Sequence, residues 1–268
     1  MSEPEEARGA AMFQVAAGAY DRHVGRYGPQ LARALIAVAG VQPGQRALDV
    51  GCGPGALTGE LAAVLGARAV GAVDPSEPFV RACGERHPGV DVRRGMAEHL
   101  PVADDAVDAV LSQLVVNFCS DADAALAEMR RVTRAGGTVA GCVWDAAEGM
   151  ELLRAFWDAA REVEPEAGAA QDEGVVMRYC RQDELNALWR RAGLQNVAGG
   201  ELVVEAAYDD FDDLWAPLTA GVGPSGAFAS GLEPGSRDAL RAALHRRLGA
   251  PDGPFQLRAR AWFATGTV

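Results

Sequence analysis

A glycine-rich turn early in the chain is the stretch best suited to bind a ligand. Ala47–Val50 is apolar except for Asp49, and glycines follow at positions 51, 53 and 55. Leucines then recur every four residues from position 57 to 65, the spacing of one helix face. The pattern predicts a buried strand, a sharp turn, and a helix whose first N–H groups a ligand can approach.

Two classes of ligand compete for this turn. Residues 51–56 satisfy the dinucleotide pattern G-x-G-x-x-A, and Asp74 follows at about the distance of a ribose-binding acid. However, Asp49 would bring negative charge toward a pyrophosphate, and Pro54 removes one N–H from a phosphate cradle. A carboxylate here suits a cationic ligand with an amino group, such as S-adenosylmethionine (SAM). A nicotinamide-dependent oxidoreductase is the alternative.

Composition narrows the functional classes further. The chain has 268 residues, a net charge of −12, and 25 basic residues that are all arginine. Without lysine, mechanisms that use a Schiff-base or P-loop lysine are excluded. The acidic balance argues against a partner that is a nucleic acid.

The cysteines and the N-terminal residues predict a reduced, cytoplasmic protein. Five cysteines are scattered without a C-x-x-C pair or zinc spacing, so we expect free thiols and no metal. The first residues are polar and acidic, unlike a signal peptide, and no apolar run is long enough to predict a membrane span.

Strand and helix patterns alternate through residues 1–145. This alternation predicts a doubly wound, mostly parallel α/β sheet with five strand units. Beyond it, 150–163 and 183–192 are predicted to be helices, and 195–206 and 255–265 to be strands. The stretch between those two strands, 209–248, is rich in glycine and helix signals.

Several motifs resemble those of class I SAM-dependent methyltransferases over residues 20–144. They are Leu48–Gly55, the acid Asp74, the loop Gly95–Pro101, the strand end Asp108–Gln113, and the segment Glu128–Gly137. Tyr20–Tyr27 and the stretches 212–217 and 223–226 are similar to a small-molecule branch of the family, the type 11-like methyltransferases.

The resemblance implies a particular architecture. We expect a Rossmann-like seven-stranded sheet in the order 3-2-1-4-5-7-6, with the last strand antiparallel. The whole chain, 1–268, would be a single methyltransferase domain. Residues 1–40 would form N-terminal lid helices, and 209–253 a helical cap insert between the last two strands.

The resemblance also implies which residues contact the cofactor. In this family Asp74 holds the ribose hydroxyls, the 95–101 loop surrounds adenine, and the lid reaches the carboxylate end. Met96 stands where the family often has Asp, so backbone contact replaces a side-chain hydrogen bond. The predicted cofactor residues are Tyr20, Arg26, Asp49, Gly51, Gly53, Asp74, Pro75, Met96, Ala97, Glu98 and Gln113.

We therefore predict an enzyme of class EC 2.1.1 that transfers the methyl group of SAM to a small-molecule acceptor, giving S-adenosylhomocysteine (SAH). Alignment and exclusion of water would carry most of the catalysis. His23 is the candidate general base, and Asn117 and Trp144 are candidates to lie near the acceptor. A non-catalytic SAM-binding protein is a second alternative. O-, N-, C- and S-methylation and the oligomeric state stay open.

Overall fold

Seven strands form a single sheet in the computed structural model, which describes residues 17–268. In chain order they are β1 (Ala47–Val50), β2 (Val70–Asp74), β3 (Asp91–Arg94), β4 (Val107–Gln113), β5 (Thr133–Trp144), β6 (Gln195–Tyr208) and β7 (Phe255–Thr267). Across the sheet their order is β3-β2-β1-β4-β5-β7-β6. The predicted strand order is confirmed.

Strand directions also match the prediction. β1 is parallel to its neighbours β2 and β4, whereas β7 is antiparallel to both β5 and β6. All four residues of β1 are buried, because helices cover both faces of a parallel sheet. The C-terminal ends of β1, β2 and β4 therefore meet at one edge, where open α/β sheets bind their ligands.

Helices connect the strands. They are α1 (Ala17–Arg22), α2 (Gly28–Ala39), α3 (Ala56–Leu65), α4 (Glu77–Arg86), α5 (Ala122–Val132), α6 (Glu151–Val163), α7 (Pro165–Gln171), α8 (Glu173–Val176), α9 (Gln182–Arg191), α10 (Phe211–Leu218), α11 (Gly223–Gly231) and α12 (Pro234–Arg247). Short 3-10 turns cover Val24–Tyr27 and Ala67–Ala69. Across residues 17–268, no helix combines the length and apolar character needed to cross a membrane.

Each face of the sheet has its own apolar core. On one face, α2, α3 and α6 pack with α10, α11 and α12 around Leu31 and Trp157. On the other face, α5 and α9 pack around Met129 and Trp189. The indole N–H of Trp189 donates to the backbone oxygen of Val139 at 3.0 Å, which ties α9 to β5.

The fifth strand contains two adjacent glycines. The preceding helix ends at Val132, and both Gly136 and Gly137 lie within β5. A β-carbon on Gly137 would lie 2.6 Å from the backbone oxygen of Asp108. Glycine at position 137 therefore allows the close approach of two strands.

The N-terminal helices are joined to the connection between β6 and β7, which contains α10, α11 and α12. The guanidinium of Arg26 donates to both carboxylate oxygens of Asp213 at 3.0 Å and to the backbone oxygen of Ala207 at 2.8 Å. It also lies 4.2 Å from the centroid of the Tyr208 ring. Of the predicted lid, residues 1–16 lie outside the described residues.

The Arg26–Asp213 pair gives a stability prediction. Replacing Asp213 by Ala should lower the free energy of unfolding by about 1–3 kcal/mol, because the substitution leaves a partly buried guanidinium without its charged acceptor. Chemical denaturation measures the loss, and hydrogen exchange should increase along α1 and α2.

Asp212 is the matched control. It is an exposed carboxylate on the same helix, paired with Arg241 at the surface. Asp212→Ala should change the free energy of unfolding by less than about 0.5 kcal/mol, as is usual for exposed ion pairs. Equal losses in both variants would contradict the structural role given to Asp213.

Candidate functional site

A cleft opens at the C-terminal ends of β1, β2 and β4. Its empty volume is about 780 Å³, counted with its open mouth. An inner recess continues from it between the N-terminal helices and the β1 turn, and is lined in part by Asp21, Gly28 and Asp49. The cleft lining comprises Tyr20, Gly51, Gly53, Asp74, Pro75, Ser76, Phe79, Gly95, Met96, Ala97, Glu98, Gln113, Leu114, Val115, Phe118, Cys119 and Ser120.

The floor of the cleft is the turn after β1. The N–H groups of Gly51 and Cys52 both donate to the backbone oxygen of Val73, at 2.8 and 3.0 Å. Gly51 has a φ of +75°, and a β-carbon there would lie 2.3 Å from the Val115 side chain. Since both the backbone conformation and the neighbour exclude a side chain, this position requires glycine.

Asp74 ends β2 and holds this turn from the side. One carboxylate oxygen accepts from the N–H of Gly53 and the other from the N–H of Ser76, each at 2.8 Å. Burial raises the pKa of Asp74, and these two hydrogen bonds oppose the rise. Each oxygen has a second lone pair, so Asp74 can also accept from ligand hydroxyls.

Asp49 is fully buried at the third position of β1. Its Oδ2 accepts from the Thr58 hydroxyl at 2.6 Å, whereas its Oδ1 has no hydrogen-bond partner. Burial raises the pKa of Asp49 to about 7, which outweighs the lowering by Thr58. A cationic donor near Oδ1 would stabilise the ionised form.

The loop after β3 forms another wall. The N–H of Gly95 donates to the backbone oxygen of Asp74 at 3.1 Å, and that of Leu100 donates to Glu128 at 2.9 Å. Glu98 accepts from the backbone N–H and the hydroxyl of Ser120, at 3.1 and 3.0 Å. These contacts hold the loop between the end of β2 and helix α5.

The segment after β4 closes the opposite side. Leu114 has a φ of +64°, an uncommon conformation for a residue other than glycine, and its N–H donates to the backbone oxygen of Cys142 at 2.8 Å. Strain of this kind persists where the surroundings fix the backbone, often at functional sites. Val115 and Phe118 then contribute apolar walls to the cleft.

Nearly all predicted cofactor residues line the cleft. The exceptions are Asp49, which lines the inner recess, and Arg26, which is in neither lining and donates to Asp213. Phe79, Val115 and Phe118 also line the cleft, although no sequence motif predicts them there. An apolar side chain just after a strand looks the same in a cleft wall as in a core, so the sequence carried no separate signal for them.

His23, the candidate base, lies outside the cleft lining. It is 3% exposed, and its Nε2 lies 3.4 Å from the hydroxyl of Ser225 in α11. Burial, with a smaller contribution from Arg26, lowers the pKa of His23 to about 4. The side chain is therefore neutral at pH 7 and links the N-terminal helices to α11.

Comparison with known proteins gives one family match. Residues 48–141 match the family model described as a methyltransferase domain. A malonyl-[acyl-carrier protein] O-methyltransferase of Serratia marcescens is 32% identical over 159 residues, covering 55% of this chain and 61% of the relative. The chain thus spans less than two thirds of the length of this relative.

Solved structures share the fold. A SAM-dependent methyltransferase from Thermotoga maritima superposes with a TM-score of 0.55 at 20% identity, covering 96% of this chain and 99% of the other. Phosphoethanolamine N-methyltransferase 2 of Haemonchus contortus, solved with SAH, gives a TM-score of 0.52 at 18% identity, covering 88% and 52%. At this identity the likeness concerns the fold.

The buried Asp49 gives a prediction about stability and pH. Since its pKa is raised on folding, the folded protein keeps this proton up to a higher pH than the unfolded chain does. The stability that this group contributes is present below pH 4 and is lost as the pH rises toward 7. Asp49→Asn should remove this loss. Its free energy of unfolding relative to wild type should rise between pH 4 and 7, by up to ~4 kcal/mol, and stay level above pH 7.

Denaturation at stepped pH measures this difference. The matched control is Asp212→Asn, since Asp212 is an exposed carboxylate and its difference from wild type should stay flat. A flat difference for Asp49→Asn as well would contradict the raised pKa.

Proposed function

We propose that the chain, whose residues 48–141 match the methyltransferase domain family and whose fold is that of class I methyltransferases, is a SAM-dependent methyltransferase acting on a small-molecule acceptor. The observation that carries the proposal is the arrangement of Asp49 and Asp74 around the glycine turn. One buried carboxylate oxygen lacks a partner, and the other acid borders the cleft.

The residues present fit SAM. The unpartnered Oδ1 of Asp49 would accept from the amino group of the methionine part, and Asp74 from the ribose hydroxyls. A β-carbon on Gly53 would meet no atom within 4 Å, so this glycine leaves room in the cleft for the ligand. Met96, Ala97 and Phe118 would surround the adenine ring.

When bound, SAM would supply a methyl group on a sulfonium. The acceptor's lone pair would form the new bond to carbon, the S–CH₃ electron pair would stay on sulfur to give SAH, and the acceptor's proton would pass to solvent. The protein's part is to align the two reactants and keep water away. Tyr20, beside the recess, would act as a neutral wall, because burial and Asp74 raise the pKa of its hydroxyl.

No side chain is assigned as general base. His23 is neutral at pH 7, but its ring faces Ser225 and does not line the cleft. Within residues 17–268 the acids that border the cleft and recess are Asp21, Asp49, Asp74 and Glu98. All of them except Asp21 accept a hydrogen bond from a backbone N–H or a hydroxyl through at least one oxygen. Positioning of an already nucleophilic acceptor is therefore the mechanism we favour.

The role of Asp74 can be measured by calorimetry. Asp74→Ala should weaken the binding of SAM and SAH by about 10- to 100-fold, because the variant loses charge-assisted hydrogen bonds to the ribose and to the turn. Wild type should bind SAM and SAH and leave NAD⁺ and NADP⁺ unbound.

Asp91→Ala is the matched control for this experiment. Asp91 starts the neighbouring strand β3, is exposed, and pairs with Arg93 at the surface. Its replacement should leave SAM affinity unchanged, and circular dichroism should show both variants folded. Tight NAD⁺ binding without SAM binding would instead support an oxidoreductase. SAM binding without SAH release across a wide acceptor screen would support a non-catalytic binder.

A further inference from the structure

Buried polar atoms without hydrogen-bond partners are concentrated at one place. Within residues 17–268 such side-chain atoms belong to Asp49, Ser112, Gln113, Asn117, Trp144 and Gln182. All but the one in Gln182 lie at, or just beyond, the C-terminal ends of β1, β4 and β5, which are neighbours in the sheet. Native proteins pair nearly all buried polar atoms, so a cluster of unpaired ones indicates a missing ligand.

Contacts bring the β4 and β5 members close together. The Gln113 side-chain amide donates to the backbone oxygen of Gly28 at 3.3 Å, while the ring of the preceding Tyr27 lies 5.6 Å from that of Trp144. Gln113 and Trp144 therefore flank the same short segment of the N-terminal helices. Gln113 also lines both the cleft and the recess.

The segment that contains α8 lies close to the residues that follow β4 and β5. A β-carbon on Gly174 in α8 would lie 2.7 Å from Cα of Ala147, just after β5. Met177, at the end of this segment, places its sulfur 4.0 Å from the side-chain nitrogen of Asn117. Val175 and Val176 beside it are 69% and 51% exposed, so this border carries apolar surface.

Among the described residues, the titratable carboxylates and the absence of cations give the cleft and recess linings a negative character. The titratable acids that line the cleft and recess are Asp21, Asp49, Asp74 and Glu98, and their linings within residues 17–268 include no arginine or histidine. The nearby Arg26 is engaged with Asp213, and Arg178 donates to the backbone oxygen of Cys119 at 3.0 Å. Apart from the sulfonium of bound SAM, an acceptor with a free carboxylate would find no cation among the described residues of these linings to offset the repulsion.

We propose that the methyl acceptor is an uncharged small molecule that carries a hydroxyl or amine beside a carbonyl or ether oxygen, and that Gln113, Asn117 and Trp144 bind it. The inference rests on the proposed function and names its substrate class. The indole N–H of Trp144 needs an accepting oxygen, whereas the amide oxygens of Gln113 and Asn117 need donors. A carboxylate offers acceptors only.

This substrate class differs from the acceptor in the name of the Serratia relative. A malonyl thioester bears a free carboxylate, which the acidic linings of this site would repel. SAH release should be followed with matched pairs: 3,4-dihydroxybenzaldehyde and 3,4-dihydroxybenzoate, further phenols and hydroxyketones with their carboxylate analogues, and a malonyl thioester. We expect turnover of uncharged members, with kcat/KM at least 10-fold above that of each carboxylate partner.

Trp144→Phe tests the binding role directly. The variant should raise KM for the accepted molecule about 10-fold, through loss of one hydrogen bond to a buried donor, and leave SAM affinity unchanged. Trp189→Phe is the matched control, because its indole N–H is already paired with Val139 on the far face of the sheet. The control should leave KM unchanged.

Thermal unfolding without any acceptor gives a second readout. Trp144→Phe removes an unpaired buried donor and should leave Tm unchanged or raise it, whereas Trp189→Phe should lower Tm by roughly 4 °C. Equal losses of Tm in the two variants would overturn the inference, because they would show that Trp144 is hydrogen-bonded within the protein.

The outcomes separate this inference from the proposed function. Preferred turnover of carboxylates or of the malonyl thioester would overturn the acceptor class and leave methyl transfer standing. SAM binding with no turnover of any member, charged or uncharged, would overturn both the acceptor class and the proposed methyl transfer, because it supports a non-catalytic binder. Failure to bind SAM at all would overturn the proposed function itself.

Discussion

The backbone of the turn after β1 is hydrogen-bonded to the end of β2, and the site is built around that attachment. Val73 accepts from two successive N–H groups of the turn, and Asp74 accepts from a third. Val115 approaches Gly51 so closely that no side chain fits between them. The turn therefore fixes the spacing of β1, β2 and the segment after β4, and with it the width of the cleft.

The parts of the site that were predicted from the sequence are those set by local geometry. The left-handed φ at Gly51 is a property of a single residue. The position of Asp74 at the end of β2 follows from the length of that strand. The resemblance then supplied the strand order, since β7 lies between β5 and β6 for reasons of topology that no short motif encodes. Asp49 stands out in the sequence because a charge within an apolar strand is rare.

The missed features depend on contacts between distant segments. Arg26 was expected at the cofactor, but its charge is satisfied by Asp213, 187 residues away. Val115 and Phe118 lie in the segment after β4, where the backbone changes direction at Leu114, whose φ is +64°. This segment therefore shows no helix or strand periodicity in the sequence. The short helices α7 and α8 were not predicted, because their positions are set by packing against α6 and the end of β5.

The attachment of Arg26 to Asp213 also orders events during synthesis. Domains fold as the chain emerges from its N-terminus, and β1 to β5 can pair once residue 144 has left the ribosome. The N-terminal helices, although made first, gain their charged partner only when residue 213 appears. About seventy further residues are therefore synthesised after β5 before this ion pair can form and fix the N-terminal helices against α10.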